Sequence, residues 1–134
     1  MSKQSGPLWD VIEGRVPAPP SAQLLGWKLL EIDPEHGTAT VEFQARPEFV
    51  NAVGTIQGGF LAAMLDDTLG PALAATLDTD EFAPTIELKV NFLRPAQVGR
   101  LIAHGRVIHK GKSLAFLQGE LRTADGQLIA AAGK

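Results

Sequence analysis

One long helix-like segment lies between segments of strand character, and this order restricts the fold more than any other feature of the chain. Apolar and small residues recur at three- and four-residue spacing over roughly residues 58–77, a period typical of an amphipathic helix. From residue 86 onward the period changes to two, as in strands with one buried face. No later connection has room for a crossover helix, so the order predicts an α+β architecture with one central helix.

Short turn-forming clusters separate the strand-like segments. Residues 24–32 and 38–44 flank the turn cluster 33–37 and are expected to form a hairpin. After the helix, the turns are short enough for three successive hairpins between four strands. These strands are expected over residues 86–92, 101–109, 114–121 and 128–132.

Prolines mark two further features of the chain. A short helix is expected from Pro7, and the prolines of residues 16–20 keep that stretch extended, so residues 1–23 form an N-terminal lead-in. Pro71 lies inside the long helical segment, where it removes a backbone donor. We therefore expect a kink or a break in the helix just after the two aspartates that precede this proline.

Composition limits the classes of function. With 134 residues, 45% of them hydrophobic and 20% charged, the chain fits one globular domain spanning 1–134. The net charge of −3 gives no reason to expect nucleic acid or a membrane surface as a partner.

The absence of cysteine excludes disulfides and thiolate chemistry, and the three histidines are too scattered to predict a metal site. No segment has the apolar length of a signal peptide or a membrane span, so a cytoplasmic location is expected.

A glycine pair and an aspartate pair give the central helix its chemical character. Gly58 and Gly59 begin the helical segment, and Asp66 and Asp67 lie about two turns further on. Amides at a helix N-terminus lack helical partners and favour negative charge. Burying an unpaired carboxylate is costly, so one of the aspartates is a candidate for chemistry. Amide donors and a carboxylate together suggest attack on a carbonyl group.

A motif around the start of this helix resembles the signature of hotdog-fold acyl-CoA thioesterases of the phenylacetate-degradation (PaaI-like) type. The similarity extends over roughly residues 24–132 and implies a hotdog fold, in which a curved antiparallel sheet wraps around one long central helix. The motif is Asn51-x-x-Gly54-x-x-x-Gly58-Gly59, with Asp66 eight residues after Gly58.

The resemblance implies a role for each matching residue. The backbone N–H of Gly58 would polarise a thioester carbonyl, and Asp66 of the partner subunit would attack that carbonyl or activate water. Asn51 would orient the carboxylate or the water, and Thr85 falls where relatives carry a hydroxyl residue in the site. Gln57 stands where many relatives have histidine, and glutamine takes no proton at neutral pH, so an acid–base role is lost at that position.

The other aspartate has a simpler interpretation. Consecutive residues lie about 100° apart around a helix, so Asp66 and Asp67 do not face one cleft. Because the resemblance places Asp66 in the site, Asp67 is expected to be a solvated or capping carboxylate.

Substrate and assembly also come from the resemblance. It implies hydrolysis of a small or medium acyl-CoA, aromatic or aliphatic, to the free acid and CoA, with no separate cofactor. Cations would hold the CoA phosphates; the candidates are Arg94, Lys110 and Lys112, together with the amide of Gly59. The active sites would lie between subunits of a homodimer or of a homotetramer built as a dimer of dimers.

Two other functions are compatible with the same fold. A non-catalytic acyl-CoA binding or sensing module would keep the fold without turnover, and the glutamine at position 57 makes this alternative less remote. A hotdog dehydratase or hydratase is disfavoured, because its usual His/Asp pair has no counterpart next to Gly58.

Overall fold

A curved antiparallel sheet of six strands packs around one long helix in the computed structural model, which describes residues 5–78 and 81–134. This confirms the predicted α+β hotdog architecture. In these described residues no helix has the length and apolar character needed to cross a membrane. The helices are α1 (Pro7–Ile12), α2 (Pro20–Leu25) and α3 (Gly58–Ala74), with a 3-10 turn at Pro47–Phe49. The strands are β1 (Lys28–Asp33), β2 (Thr38–Ala45), β3 (Lys89–Phe92), β4 (Gly99–Lys110), β5 (Ala115–Thr123) and β6 (Leu128–Gly133).

The strand order is β1-β2-β4-β5-β6-β3. The hairpin of β1 and β2 is confirmed, as are the two hairpins that join β4, β5 and β6. The hairpin expected between β3 and β4 is wrong: β3 pairs with β6, with Lys89 opposite Gly133 and Phe92 opposite Ala130. Turn residues mark where the chain bends, and the choice of the neighbouring strand depends on contacts between distant residues.

Strand β3 is also shorter than the alternating pattern predicted. The pattern begins at Ile86, but the strand begins at Lys89. Leu88 and Val90 pack partly buried against the core, but Ile86 is 81% exposed and Phe92 is 52% exposed, so the two ends of this apolar pattern have little cover within one protomer. Only one edge of β3 is paired in the described part of the chain, and its other edge is open.

The core forms between the apolar stripe of α3 and the concave face of the sheet. The predicted helix stripe is buried from Leu61 to Ala72, and only Thr76, beyond the end of the helix, is partly exposed. Gly105 on β4 lies opposite Gly119 on β5, and Leu69 Cδ2 lies 2.8 Å and 3.1 Å from where their Cβ atoms would stand. Because neither glycine has a side chain, α3 lies closer to the centre of the sheet than larger residues would allow.

Of the kink or break predicted at Pro71, the break does not occur, since α3 continues to Ala74. The proline has no N–H, so the carbonyl of Asp67 loses its helical donor. The indole Nε1 of Trp27 donates to that carbonyl instead, at 3.0 Å. A side chain from outside the helix therefore replaces the missing backbone hydrogen bond.

The helix α2 positions this tryptophan and was not predicted, because Leu24 was assigned to the first strand. Pro20 lies in the first turn of α2, and Gly26 ends it with φ of 67°, which is the left-handed region that glycine adopts readily. The short helix expected from Pro7 is confirmed as α1, and its Trp9 is buried.

Because Trp27 supplies the hydrogen bond that Pro71 cannot donate, the effects of substituting these two residues on the free energy of unfolding should depend on each other. Trp27→Phe should lower the free energy of unfolding by about 1–3 kcal/mol, because it leaves the Asp67 carbonyl unpaired. In a Pro71→Ala background the loss should be smaller, because the new amide can donate to the same carbonyl. Denaturant unfolding of the two single variants and the double variant measures the difference. Equal losses in both backgrounds would contradict this account.

Candidate active site

Asp66 lies near the middle of α3, and two donors hold one of its oxygens. Thr85 Oγ1 donates to Oδ1 at 3.3 Å, and the ammonium of Lys134 lies 3.0 Å from the same atom. The Asp66 side chain is 46% exposed, whereas that of Lys134 is only 9% exposed. The other oxygen, Oδ2, has no hydrogen-bond partner within the described ranges. The predicted proximity of Asp66 and Thr85 is thus present within one protomer.

Lys134 was missed by the sequence analysis, although the sequence contains a signal for it. Ala130 and Ala132 are buried on the helix-facing side of β6. Side chains two residues apart share a face, so a lysine at position 134 is directed toward α3 rather than toward solvent. A charged residue in phase with buried alanines on a strand is the feature that points to a largely buried lysine and hence to an ion pair with the helix.

The N-terminus of α3 forms the second part of the candidate site. Gly58 is the first helical residue, and neither its amide nor that of Gly59 has an acceptor among the residues that the structure describes. The ring of Phe92 lies 3.2 Å from where a Cβ at Gly58 would stand, so glycine allows this close approach. Gln57 precedes the helix, is exposed, and makes no capping hydrogen bond with its side chain.

The Asn51 side chain organises the loop before this helix. Its Oδ1 accepts from the amides of Val53 and Thr55, each at 3.1 Å, and its Nδ2 donates to Thr55 Oγ1 at 3.2 Å. The rings of Phe49 and Phe60 stack with centroids 4.1 Å apart, which ties the loop to the first turn of α3. Asn51 makes none of its described hydrogen bonds with Asp66 of the same protomer.

The glycine amides and the carboxylate are too far apart to act on one carbonyl within a protomer. Asp66 follows Gly58 by eight residues of continuous helix. At about 1.5 Å per residue, the two positions are about 12 Å apart along the axis. A reacting carbonyl needs its donor and its nucleophile at about 3 Å each. Within one protomer the candidate site therefore consists of an amide half and a carboxylate half that lie apart.

A cleft of about 840 Å³ lies beside the carboxylate half and includes Thr85 and Lys134 in its wall. It lies between the C-terminal end of α3, residues 81–89 and the turn between β4 and β5. Its apolar wall includes Phe82, Ile108, Leu114 and Phe116. The cleft thus combines apolar surface with cationic side chains next to the candidate reactive group.

The three cations predicted to hold phosphates do not lie together in one protomer. Lys110 and Lys112 line the cleft, but the Lys110 ammonium already donates to the Thr76 carbonyl at 2.8 Å, just beyond α3. Lys112 is exposed and makes no described hydrogen bond or ion pair. Arg94 follows β3, whose Phe92 contacts the opposite end of the helix. With 17 residues in α3, these two ends are separated by about 25 Å.

Asp67 is not the solvated or capping carboxylate that was predicted. Its Oδ2 is buried without a hydrogen-bond partner in the described structure. It lines an apolar cavity of about 400 Å³ beneath the N-terminal segment, together with Trp27 and Pro71. Burial, and to a smaller extent the negative charge of Asp66, raise the pKa of Asp67 from 3.8 to about 6, while Lys134 acts in the opposite direction. Pro71 and Trp27 line this cavity together with residues of the N-terminal segment, which therefore lies over this face of the helix.

One group of metal-ligating side chains lies outside the site. Asp33, Glu35 and His36 have ligand atoms within 4.8 Å of one another, in the turn between β1 and β2. His36 Nδ1 lies 2.7 Å from an Asp33 oxygen, and this hydrogen bond raises the pKa of His36. None of the three lines the cleft beside Asp66.

Comparison with known proteins gives a consistent result. Residues 53–130, more than half of the chain, match the model of the thioesterase superfamily. Human acyl-coenzyme A thioesterase 13 is 30% identical over 134 residues, covering 97% of this chain and 93% of that protein. The crystal structure of a phenylacetic acid degradation-related protein from Ralstonia eutropha JMP134 has a TM-score of 0.89 and 36% identity, covering 94% of this chain and 95% of that one. The Escherichia coli PaaI protein shares the fold, with a TM-score of 0.81 at 23% identity, over 94% of this chain and 88% of that one.

The buried Asp67 carboxyl predicts a pH-dependent stability. Because its folded-state pKa lies above its ordinary value, the protonated group favours the fold at low pH, and this contribution is lost as the pH rises through about 6. Asp67→Asn should therefore raise the Tm by a few degrees at about pH 8 and by clearly less at about pH 4.5, where only part of this contribution has been lost. Thermal unfolding at both pH values, with Glu48→Gln on the exposed 3-10 turn as a control, measures the effect. A larger gain at the lower pH would contradict the prediction.

Proposed function

The chain belongs to the thioesterase superfamily and is a thioester hydrolase; on that premise, we propose that it hydrolyses an acyl-CoA to the free acid and CoA. The observation that carries the proposal is the arrangement of Asp66, with one oxygen held by Thr85 and Lys134 and the other unpaired. The unpaired amides of Gly58 and Gly59 supply the complementary donors.

We propose that the two halves meet across a homodimer. The glycine amides of one subunit would face Asp66 of its partner, since about 12 Å of helix separates them within one chain. The open edge of β3 and its exposed apolar side chains offer the surface for this contact. Phe92 and Ile86 lie on that segment, and Phe92 also contacts Gly58. Two such dimers would form the larger assembly expected from the sequence.

The chemistry follows from these groups. The thioester oxygen would accept a hydrogen bond from the Gly58 amide, which stabilises the developing oxyanion by about 3–4 kcal/mol. Asp66 either forms a bond to the acyl carbon or takes a proton from a water molecule that does so. In both routes the C–S bond breaks and the CoA thiolate leaves. If Asp66 attacks, water then hydrolyses the acyl anhydride and regenerates the carboxylate.

The cleft supports a CoA thioester as the substrate. Its volume of about 840 Å³ is within the range of small-molecule sites, about 300–1,000 Å³. We propose that its apolar wall holds the extended part of the substrate and that Lys112 contacts a phosphate at the surface. The name of the Ralstonia relative, a phenylacetic acid degradation-related protein, favours an aromatic acyl group, whereas the name of the human relative points only to an acyl-CoA. Gln57 would hydrogen-bond the substrate without transferring a proton.

The cytoplasmic location expected from the sequence stays a prediction.

Replacement of the carboxylate tests the proposal. Asp66→Asn should lower the rate of acyl-CoA hydrolysis by about 100-fold or more, because an amide is neither a nucleophile nor a base here. Asp67→Asn removes an equal charge from the next position and should leave turnover close to that of the wild type. Release of free thiol from short and long aliphatic, phenylacetyl and hydroxybenzoyl CoA esters measures both variants.

The outcomes separate the two main functions. Turnover that persists in Asp66→Asn would contradict the assignment of the reactive group. No turnover by the wild type on any ester, with the same esters still raising its Tm, would instead support the non-catalytic acyl-CoA binding module.

A further inference from the structure

Lys134 is held in place by its main chain and by its surroundings. Its N–H donates to the Leu117 carbonyl at 3.0 Å, and its own carbonyl accepts from the Leu117 amide at 2.9 Å. Residue 134 therefore continues the ladder between β5 and β6. Its side chain is 9% exposed, unlike that of a typical surface lysine. The ammonium is thus a fixed charge directed at the helix.

The helix leaves room for this side chain. Gly70 lies one turn after Asp66 and on the same face of α3. The Lys134 ammonium is 3.9 Å from where a Cβ at Gly70 would stand. That distance corresponds to an ordinary van der Waals contact, so Gly70 borders the ammonium on its way to Asp66.

Two donors from different parts of the chain reach the same carboxylate oxygen. Lys134 extends from the end of β6, and Thr85 belongs to the segment before β3; both contact Oδ1 of Asp66. An aspartate carboxylate rotates broadly about its terminal bond unless it is held. With Oδ1 held on two sides, the plane of the carboxylate and the direction of Oδ2 are both set.

We propose that Lys134 is a positioning residue for Asp66, which holds Oδ1 so that Oδ2 is the oxygen that reacts. The inference rests on the proposed function and identifies the reacting atom within it. Oδ2 either forms the bond to the acyl carbon as the C–S bond breaks, or takes the proton of the attacking water. Lys134 keeps its proton in both routes.

A simpler role for Lys134 would be to balance charge. The ammonium also acts on Asp67, whose pKa it lowers against the effects of burial and of Asp66. If charge balance were its only role, removing the ammonium would change the stability of the protein and leave the catalytic step unchanged. A positioning role instead affects kcat, because a small displacement of a reacting group costs about 100-fold in rate.

Variants of Lys134 separate these roles. Lys134→Met keeps the length of the side chain without its charge and should lower kcat by about 10–100-fold, with KM changed by less than about 3-fold. Lys134→Arg should recover much of the loss, because it can still donate to Oδ1. Lys28→Met, on the exposed strand β1, is the matched control and should have unchanged kinetics. Circular dichroism and Tm establish that each variant is folded.

Thr85→Val provides a second route if Lys134→Met does not fold. Thr85 is exposed, and its loss should also lower kcat more than it changes KM. In the double variant the two effects should not add, because both residues hold one oxygen. Unchanged kcat in Lys134→Met or Thr85→Val, with Asp66→Asn inactive, would overturn the inference alone. A wild-type protein inactive on every CoA ester would overturn both the proposed function and this inference.

Discussion

The close contact between α3 and the centre of the sheet determines which side of the helix is buried and where the candidate site lies. Leu69 packs against Gly105 and Gly119, which face each other on β4 and β5. The absence of side chains at these two positions lets the helix lie close to both strands. An apolar stripe from Leu61 to Ala72 is then buried on one side of the helix. The other side carries the charges, within reach of groups at the strand ends and in the segment before β3. The depth of the helix thus sets the distance from Asp66 to its two donors.

The two aspartates show how one helix turn supports opposite environments. Asp66 is half exposed and has a lysine and a threonine as partners. Asp67, the next residue, faces an apolar cavity with one oxygen unpaired and a raised pKa. Trp27, which donates to the Asp67 carbonyl that Pro71 leaves without a helical donor, lines the same cavity as Asp67, Pro71 and residues of the N-terminal segment.

Local pattern predicted most of the fold. The helix stripe, the approximate positions of the six strands and the turns between them follow from periodicity and turn residues, because these depend on near neighbours in the sequence. The neighbour of β3 and the helix α2 were predicted wrongly, and of the kink or break predicted at Pro71 the break does not occur. Each depends on contacts between distant residues, such as the pairing of β3 with β6 or the bond from Trp27.

The candidate site likewise contains residues that the sequence predicted and residues that only the folded structure brings together. Gly58 and Asp66 were predicted from the spacing of a motif and Thr85 from its position within the resemblance, and in the structure Thr85 donates a hydrogen bond to Asp66. Lys134 lies 68 positions from Asp66 in the chain, so only the sheet brings them together. The buried state of Asp67 likewise depends on the N-terminal segment, which no local pattern assigns to that face. The catalytic roles themselves remain predictions.

The central claim is that Gly58 and Asp66 act on one thioester from different subunits, and subunit mixing tests it most directly. Gly58→Pro removes the amide donor at the first helical position, and Gly58→Ala, which keeps the amide but places the same Cβ 3.2 Å from the Phe92 ring, controls for that contact. Alone, Gly58→Pro and Asp66→Asn should each be inactive. When the two variants are refolded together in equal amounts, half of the dimers should contain one intact site of two, giving about one quarter of wild-type activity. Activity no higher than that of either variant alone, in mixtures shown to contain the heterodimer, would contradict the shared site.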